Sequence, residues 1–287
     1  TDETDKNERT MQKLLVLQSL WAMQNLRDAP AERSLEDNVA RIKAAGFDGF
    51  GAMWEDDATA GRASRLAESE GLTLEGLCLP RSLAEIEAAV ERAARFPLHH
   101  LNLQVKILPR TLDEASRLVD AIRTIIRQAS VPVYLETHRG RLTDDLLFML
   151  ELLDRHPDLE LLADLSHYVV AREMELPIDE ATDRQVSTIL DHASAFHGRV
   201  AGSGQVQLPL SFAQHRPWID QFRSWWTAGF ASWRRRARAD AELTFVCELG
   251  PQPYAISGPD GQDLTDRWAE ALVLRDLARQ AWQDAQT

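Results

Sequence analysis

Cysteine, long apolar runs and positive charge are all scarce in this chain. Only two of its 287 residues are cysteine, Cys78 and Cys247, and each lies among apolar neighbours in a predicted strand. A secreted disulfide scaffold would place paired cysteines in loops, so we interpret both as buried free thiols of a reducing compartment. No stretch approaches the ~20 apolar residues that span a bilayer, which argues against a transmembrane helix.

The first ten residues, TDETDKNERT, are polar and acidic. They lack the basic-then-apolar order of a signal peptide. We therefore expect a cytoplasmic protein without a membrane partner, in which residues 1–12 form a flexible N-terminal tail.

Basic residues are outnumbered, since 32 Lys and Arg face 45 Asp and Glu and give a formal net charge of −13. Nucleic-acid binding normally needs a basic face, so this balance argues against a nucleic-acid partner. The one basic run, Arg234 to Arg236, is interpreted as a solvated helix face. No P-loop or Rossmann glycine pattern is present, so no nucleotide cofactor is implied.

Apolar strand-like runs alternate with amphipathic helical stretches along nearly the whole sequence. Hydrophobic residues make up 44% of the chain, enough for one large core. The strands are predicted at 14–18, 49–52, 73–77, 100–104, 131–136, 160–163, 199–200 with the residues just before, and 244–248. The helices are predicted at 34–45, 58–70, 83–95, 112–128, 143–155, 182–194, 217–237 and 263–284. Eight unbroken alternations predict a single α/β domain over 13–287, a closed (β/α)₈ TIM barrel.

Capping signals fix where the helices begin. Ser82 is followed three residues later by Glu85, and Thr111 is followed in the same way by Glu114. Both pairs have the spacing of a capping box. These helix starts locate the carboxyl ends of the preceding strands. Many of the polar residues lie at those strand ends.

Four residues able to bind a metal follow successive predicted strands: Glu136, Asp164, His197 and Glu248. The gaps between them are 28, 33 and 51 residues, and a βα unit of a ~250-residue barrel averages about 31. Each residue alone could be an ordinary strand-end or capping group, but one metal explains all four positions together. Three carboxylates and one imidazole form an oxygen-rich set that suits Mn²⁺, Mg²⁺ or Co²⁺ better than a structural thiolate-bound zinc. We expect one divalent ion, Mn²⁺ before the others, with Zn²⁺ also possible.

The segments ETHRG, DLSH, HGRV and ELGPQPY, between residues 131 and 254, resemble the xylose-isomerase-like TIM barrels. This family includes sugar isomerases, keto-sugar 3-epimerases, hydroxypyruvate isomerases and apurinic endonucleases. The first half of the chain resembles it only in its alternation. The nuclease members use additional His and Asp ligands for several zinc ions, and this sequence has no further His at the matching strand ends.

The resemblance implies roles for individual residues. Glu136, Asp164, His197 and Glu248 would bind the metal, and Glu136 and Glu248 would also be the catalytic proton-transfer groups, working through a metal-bound cis-enediolate. His167, three residues after Asp164, and Arg199, two after His197, would bind oxygens of a small carbohydrate substrate.

Three further substrate contacts are suggested by position. His138 lies two residues past Glu136 and would point to the same side of an extended segment, towards the substrate. The alternative is that it forms a hydrogen bond to one of the metal-binding residues. Trp21 and Trp54 follow the first two strands and could line a sugar pocket, with core packing as the alternative.

A Trp-rich insertion around 208–237 carries four tryptophans at spacings of seven, one and seven. We interpret it first as core packing of a long helix and second as a lid or a contact in a possible homo-oligomer.

The predicted activity is that of a metal-dependent isomerase or epimerase of a sugar or hydroxy-carbonyl compound. The alternative is a lyase, such as a dehydratase or a keto-glycoside-cleaving enzyme, on the same metal, which product analysis would separate. A non-catalytic barrel is a third hypothesis, but none of the four metal ligands is missing.

Overall fold

The computed structural model describes residues 11–28 and 32–286, and in this part of the chain eight parallel strands close into one barrel. The strands pair in chain order, and the eighth pairs with the first over six positions. The strands are β1 Lys13–Ser19, β2 Gly49–Met53, β3 Thr73–Cys78, β4 His100–Leu103, β5 Val133–Glu136, β6 Leu161–Ala163, β7 Ala193–Gly198 and β8 Glu242–Cys247. The predicted (β/α)₈ fold is therefore confirmed. The predicted tail over 1–12 lies outside the described residues except for Met11 and Gln12.

The helices surround the barrel, with one short extra helix after β6. They are α1 Leu35–Ala44, α2 Asp57–Glu70, α3 Leu83–Arg95, α4 Leu112–Ile126, α5 Leu146–Arg155, α6 Ser166–Ala171, α7 Glu180–Asp191, α8 Arg216–Arg236 and α9 Arg267–Asp284. The hydroxyls of Ser82 and Thr111 accept hydrogen bonds from the amides of Glu85 and Glu114, both at 3.2 Å. The two predicted helix starts are thus confirmed. No helix in the described ranges is long and apolar enough to cross a membrane.

The seventh strand lies earlier than predicted. The helix before it was expected to reach residue 194 and the strand to lie near 199–200, but α7 ends at Asp191 and β7 begins at Ala193. Every residue of β7 is buried, and a short segment that is buried on all sides shows no hydrophobic period that would distinguish a helix from a strand. Pairing with β6 and β8 decides the outcome. Arg199 therefore follows the strand instead of lying in it.

The Trp-rich segment contributes α8, which packs between α7 and α9. Trp225, Trp226 and Trp233 are buried, and the Trp226 ring meets the Phe245 ring edge-on at 5.1 Å between centroids. Core packing, the first interpretation of the tryptophan spacing, is confirmed for these three side chains. Cys78 and Cys247 are buried free cysteines, as predicted.

Candidate metal centre and substrate pocket

The four predicted metal ligands lie at the carboxyl-terminal mouth of the barrel. Glu136 ends β5, Asp164 directly follows β6, His197 is the second-last residue of β7 and Glu248 directly follows β8. Parallel strands of a barrel all end at one rim, which brings together positions that are far apart in sequence. All four side chains are buried.

His197 is at the centre of this group. Its Nδ1 lies 3.3 Å from Glu248 Oε2 and 3.7 Å from Glu136 Oε2, and one ligand atom from each of the three residues lies within 4.8 Å of the others. Asp164 is joined to them through Arg199, whose Nη2 is 3.5 Å from Asp164 Oδ2 and also contacts Glu248 Oε2. The structure thus brings three predicted ligands into one group and places Asp164 at its edge.

A cavity of about 260 Å³ opens beside this group. It is lined by Trp21, Met53, Leu77, Leu79, Gln104, His138, Arg141, Arg199, Glu248 and Tyr254. Tyr254 packs edge-on against Trp21 with ring centroids 5.1 Å apart, and the Arg199 guanidinium carbon lies 4.5 Å from the Tyr254 centroid. Of the predicted substrate contacts, Trp21, His138 and Arg199 therefore border one pocket.

The structure does not place Trp54 with them. This side chain is fully buried, and its ring packs so closely over Gly76 of β3 that a Cβ there would lie 3.0 Å from it. It borders a different cavity, of about 380 Å³, together with Cys78 and Arg92. Trp54 therefore lies outside the lining of the 260 Å³ cavity, and its role as a substrate contact stays a prediction.

His138 and His167 form a stacked pair near the cavity. Their ring centroids are 3.6 Å apart with a tilt of 34°. Burial lowers the pKa of His138 to about 3 and the pKa of His167 well below its ordinary value. His138 Nδ1 lies 2.6 Å from the carbonyl oxygen of Arg139, so the ring is held as the Nδ1–H tautomer. Both rings are neutral, and both nitrogens of His167 are buried with no hydrogen-bond partner in the described part of the chain.

Several solved structures are similar to this chain in fold. No family model matches the sequence, and no curated protein matches it. Among solved structures, a sugar phosphate isomerase/epimerase from Parabacteroides distasonis is similar at 10% identity and a TM-score of 0.59, covering 98% of this chain and 99% of that one. A xylose isomerase domain protein from Planctomyces limnophilus is similar at 12% identity and a TM-score of 0.55, covering 96% and 100%. A probable 3-DHS dehydratase from Bacillus anthracis is similar at 17% identity and a TM-score of 0.54, and the match covers 92% of this chain and 98% of that one.

The chain shares the (β/α)₈ barrel fold of these structures. At these identities the likeness is one of fold, and residue roles have to be argued from the site itself.

Glu75 holds His197, one of the four predicted metal ligands, from the side opposite to the acidic group. Glu75 Oε1 lies 2.9 Å from His197 Nε2, and Glu75 Oε2 lies 2.8 Å from His100 Nε2. With Nε2 engaged by the carboxylate, Nδ1 of His197 is turned towards the acidic group. Glu75 was not among the predicted site residues. Its signal was a glutamate inside an apolar strand, since a buried charge requires a partner.

Two amide side chains at the end of β4 were also missed. Gln104 Nε2 donates to both oxygens of Glu136, at 3.1 and 3.0 Å, and Asn102 Nδ2 donates to Glu136 Oε2. These bonds fix the carboxylate in one orientation. Nothing in the sequence distinguishes the two amides from other polar residues near strand ends.

The environments of the acids push their pKa values apart. Burial raises the pKa of Glu136 to about 8, and the charges of Glu248 and Asp164 act in the same direction. Burial also opposes ionisation of Glu248, but the charges of His197 and Arg199 outweigh it and lower its pKa. Two carboxylates with opposite shifts are the arrangement expected of an acid and base pair.

The group fits a divalent cation by its charge and its free atoms. Asp164 Oδ2 and His197 Nδ1 are buried and have no hydrogen-bond partner within the described residues. With Glu75 included, four buried carboxyl groups lie beside Arg199 and the imidazoles of His197 and His100. Crowded carboxylates are costly to bury, and a divalent ion would offset their charge while using the free atoms.

Proposed function

We propose that this protein is a divalent-metal-dependent isomerase or epimerase that acts on a small sugar or related hydroxy-carbonyl compound. The observation that carries the proposal is the convergence of Glu136, His197 and Glu248 within 4.8 Å of one another at the buried mouth of the barrel. The similarity in fold to a sugar phosphate isomerase/epimerase and to a xylose isomerase domain protein supports it.

Glu136, His197 and Glu248, with Asp164 beside them, would hold the ion. Three carboxylates and one imidazole make a hard donor set that suits Mn²⁺ first, with Mg²⁺, Co²⁺ and Zn²⁺ as alternatives. When bound, the ion would polarise a substrate carbonyl and so acidify the adjacent C–H group.

Glu248 and Glu136 move the proton in this proposal. Glu248 is kept ionised by Arg199 and His197, so its carboxylate is the base that removes a proton next to the carbonyl. Glu136 is the second proton-transfer group, and it returns a proton to the neighbouring carbon or to the opposite face of the same carbon. Gln104 and Asn102 keep the Glu136 carboxylate aimed while it does so.

The remaining pocket residues bind and orient the substrate. His167 is neutral and has free ring nitrogens, so it can accept from one hydroxyl and donate to another. His138 stacks on it and fixes the plane of its ring. Trp21 and Tyr254 form an aromatic wall beside Arg199, which excludes water from the reacting carbon and provides a face for an apolar sugar surface.

Isotope exchange tests the proposal without knowledge of the natural substrate. The Mn²⁺-loaded protein is incubated in D₂O with a panel of keto-sugars and hydroxy-keto compounds, and deuterium at the carbon next to the carbonyl is followed by NMR. Incorporation with the molecular formula conserved supports isomerisation or epimerisation. Release of a second molecule would assign elimination on the same site. No metal uptake, or no exchange with any member of the panel, would overturn the proposal.

A further inference from the structure

Four basic side chains border the barrel mouth on the loops after β3, β4 and β5: Arg81, Lys106, Arg139 and Arg141. Two backbone hydrogen bonds hold these loops side by side. One joins the Lys106 amide to the carbonyl of residue 80 at 2.7 Å, and the other joins the amide of residue 142 to the carbonyl of residue 105 at 2.9 Å. Over residues 11–28 and 32–286, none of the four forms a salt bridge. Unpaired positive charge is thus concentrated at the pocket of a chain whose formal net charge is −13.

Of these four side chains, Arg141 lies in the wall of the pocket. It lines the same 260 Å³ cavity as Glu248 and Arg199. Its Nη2 donates to Gln104 Oε1 at 3.1 Å and its Nη1 donates to Gly140 O at 3.0 Å, while its buried Nε has no partner. Both accepting groups are neutral, and the charges of Glu136 and Asp144 act on the guanidinium without forming a salt bridge to it in the described part of the chain. Arginine stays protonated in proteins and binds planar anions through paired N–H groups.

Arg199 differs from Arg141 in this respect. Its guanidinium already contacts the carboxylates of Glu248 and Asp164, so its charge is balanced within the acidic group. Arg141 is the pocket-lining arginine whose charge remains for a ligand. The cavity therefore has an acidic end at the proposed metal ligands and a basic end at Arg141.

We propose that the substrate of this site carries a carboxylate group, which Arg141 binds while the basic loops attract it. This inference rests on the proposed function, because it names the class of hydroxy-carbonyl compound that the site would take. The carboxylate lies at the end of the substrate opposite to the reacting carbonyl. The basic rim also raises the local concentration of an anionic substrate around an otherwise acidic protein.

A carboxylate fits the observations better than a phosphate. Barrels often bind phosphate with the loops after strands seven and eight, but the glycine loop after β7 is closed on itself. The amides of Gly202 and Gln205 donate to each other's carbonyl oxygens at 2.9 and 3.2 Å, and the Ser203 hydroxyl donates to the carbonyl of Met174. These donors are consumed within the protein. The unpaired positive charge lies instead after β5, on the planar guanidinium of Arg141.

Three six-carbon polyols that differ only at one end provide the test. Sorbitol is neutral, D-gluconate carries a carboxylate at carbon 1 and sorbitol 1-phosphate carries a phosphate at the same end. Their dissociation constants are measured by calorimetry on the metal-free and the Mn²⁺-loaded protein. The variants are Arg141→Gln and, as a matched loss of one exposed positive charge on the outer end of α4, Arg127→Gln.

We expect the wild type and Arg127→Gln to bind gluconate at least about tenfold more tightly than sorbitol, because a charge-assisted pair contributes that much. Arg141→Gln should lose this preference while its unfolding temperature stays unchanged. Equal or absent binding of gluconate and sorbitol to the wild type overturns the proposal. So does a preference that persists in Arg141→Gln, since the carboxylate would then lie elsewhere, for example on the metal.

If sorbitol 1-phosphate binds more tightly than gluconate and Arg141→Gln loses this difference, the group that Arg141 binds is a phosphate and the carboxylate proposal is overturned. Because the polyols need not turn over, these outcomes are independent of deuterium exchange. A protein that binds gluconate through Arg141 but takes up no metal would refute the proposed isomerase alone. A metal-loaded protein that exchanges deuterium with no preference for anions would refute the present inference alone.

Discussion

Replacing Glu75 by glutamine should weaken metal binding at a site that Glu75 does not itself enter. The carboxylate accepts hydrogen bonds from His197 Nε2 at 2.9 Å and from His100 Nε2 at 2.8 Å, in a fully buried position. Glutamine has the same shape, so no cavity forms and the amide oxygen can still face His197. What disappears is the negative charge that makes the imidazole a stronger ligand.

The magnitude follows from the loss of this charge. Burial would raise the pKa of Glu75, yet the charge of His197 and hydrogen bonds from both histidines lower it to about 2, so the group is ionised throughout the working range. Removing such a partner of a metal-ligating histidine typically weakens metal affinity about 10- to 100-fold. That corresponds to roughly 1.4–2.7 kcal/mol of binding free energy.

Titration of the metal-free protein with Mn²⁺, followed by electron paramagnetic resonance of the free ion, measures this effect. The matched control is Glu270→Gln, which removes another buried carboxylate that accepts bonds from the amide and hydroxyl of Ser211. If Glu75 had only a structural role, its variant would unfold at a lower temperature and keep the wild-type Mn²⁺ affinity. That result would refute the positioning argument, as would an equal loss of affinity in Glu270→Gln.

Three other predictions concern the base, its arginine and the packing of the barrel. Glu248→Gln should lower deuterium exchange by at least about 10²-fold, because a positioned base contributes that much, and NMR showing wild-type exchange would contradict its role. Arg199→Gln should retain Mn²⁺, since it removes a cation that competes for the Glu248 carboxylate, while the substrate concentration needed for half-maximal exchange rises. Gly198→Ala should lower stability to urea by about 1–3 kcal/mol or more, because its Cβ would lie 2.2 Å from the Phe245 ring. Gly204→Ala, whose Cβ would meet nothing within 4 Å, is the control.

The fold could be predicted from the sequence because each barrel unit carries its own local signals. Helix starts such as Ser82 and Thr111 depend on residues three positions away, and the structure has both caps. The prediction was wrong where local signals are weak. In β7 the run from Ala193 to Phe196 is buried throughout, and its pairing with β6 and β8 fixes it as a strand.

The site could be predicted only in part, for a related reason. Glu136, Asp164 and Glu248 end strands, so the rule that barrel chemistry lies at strand ends locates them from local sequence. Trp54 also follows a strand, but the course of the chain after β2 turns its ring over Gly76 and away from the pocket. Strand-end position predicts the rim on which a residue lies and leaves the direction of its side chain undecided.

The supporting residues depend on contacts that no local pattern contains. Glu75 of β3 reaches His197 of β7 across the barrel, 122 positions along the chain, and Gln104 after β4 reaches Glu136 at the end of β5. A closed barrel makes such pairings necessary, because a charge buried inside it can be balanced only by another strand that faces the same interior. The proposed metal ligands all lie from residue 136 onwards. The part of the chain before residue 136 supplies the carboxylate and amides that fix their orientation, so its lack of recognisable motifs is consistent with a positioning role.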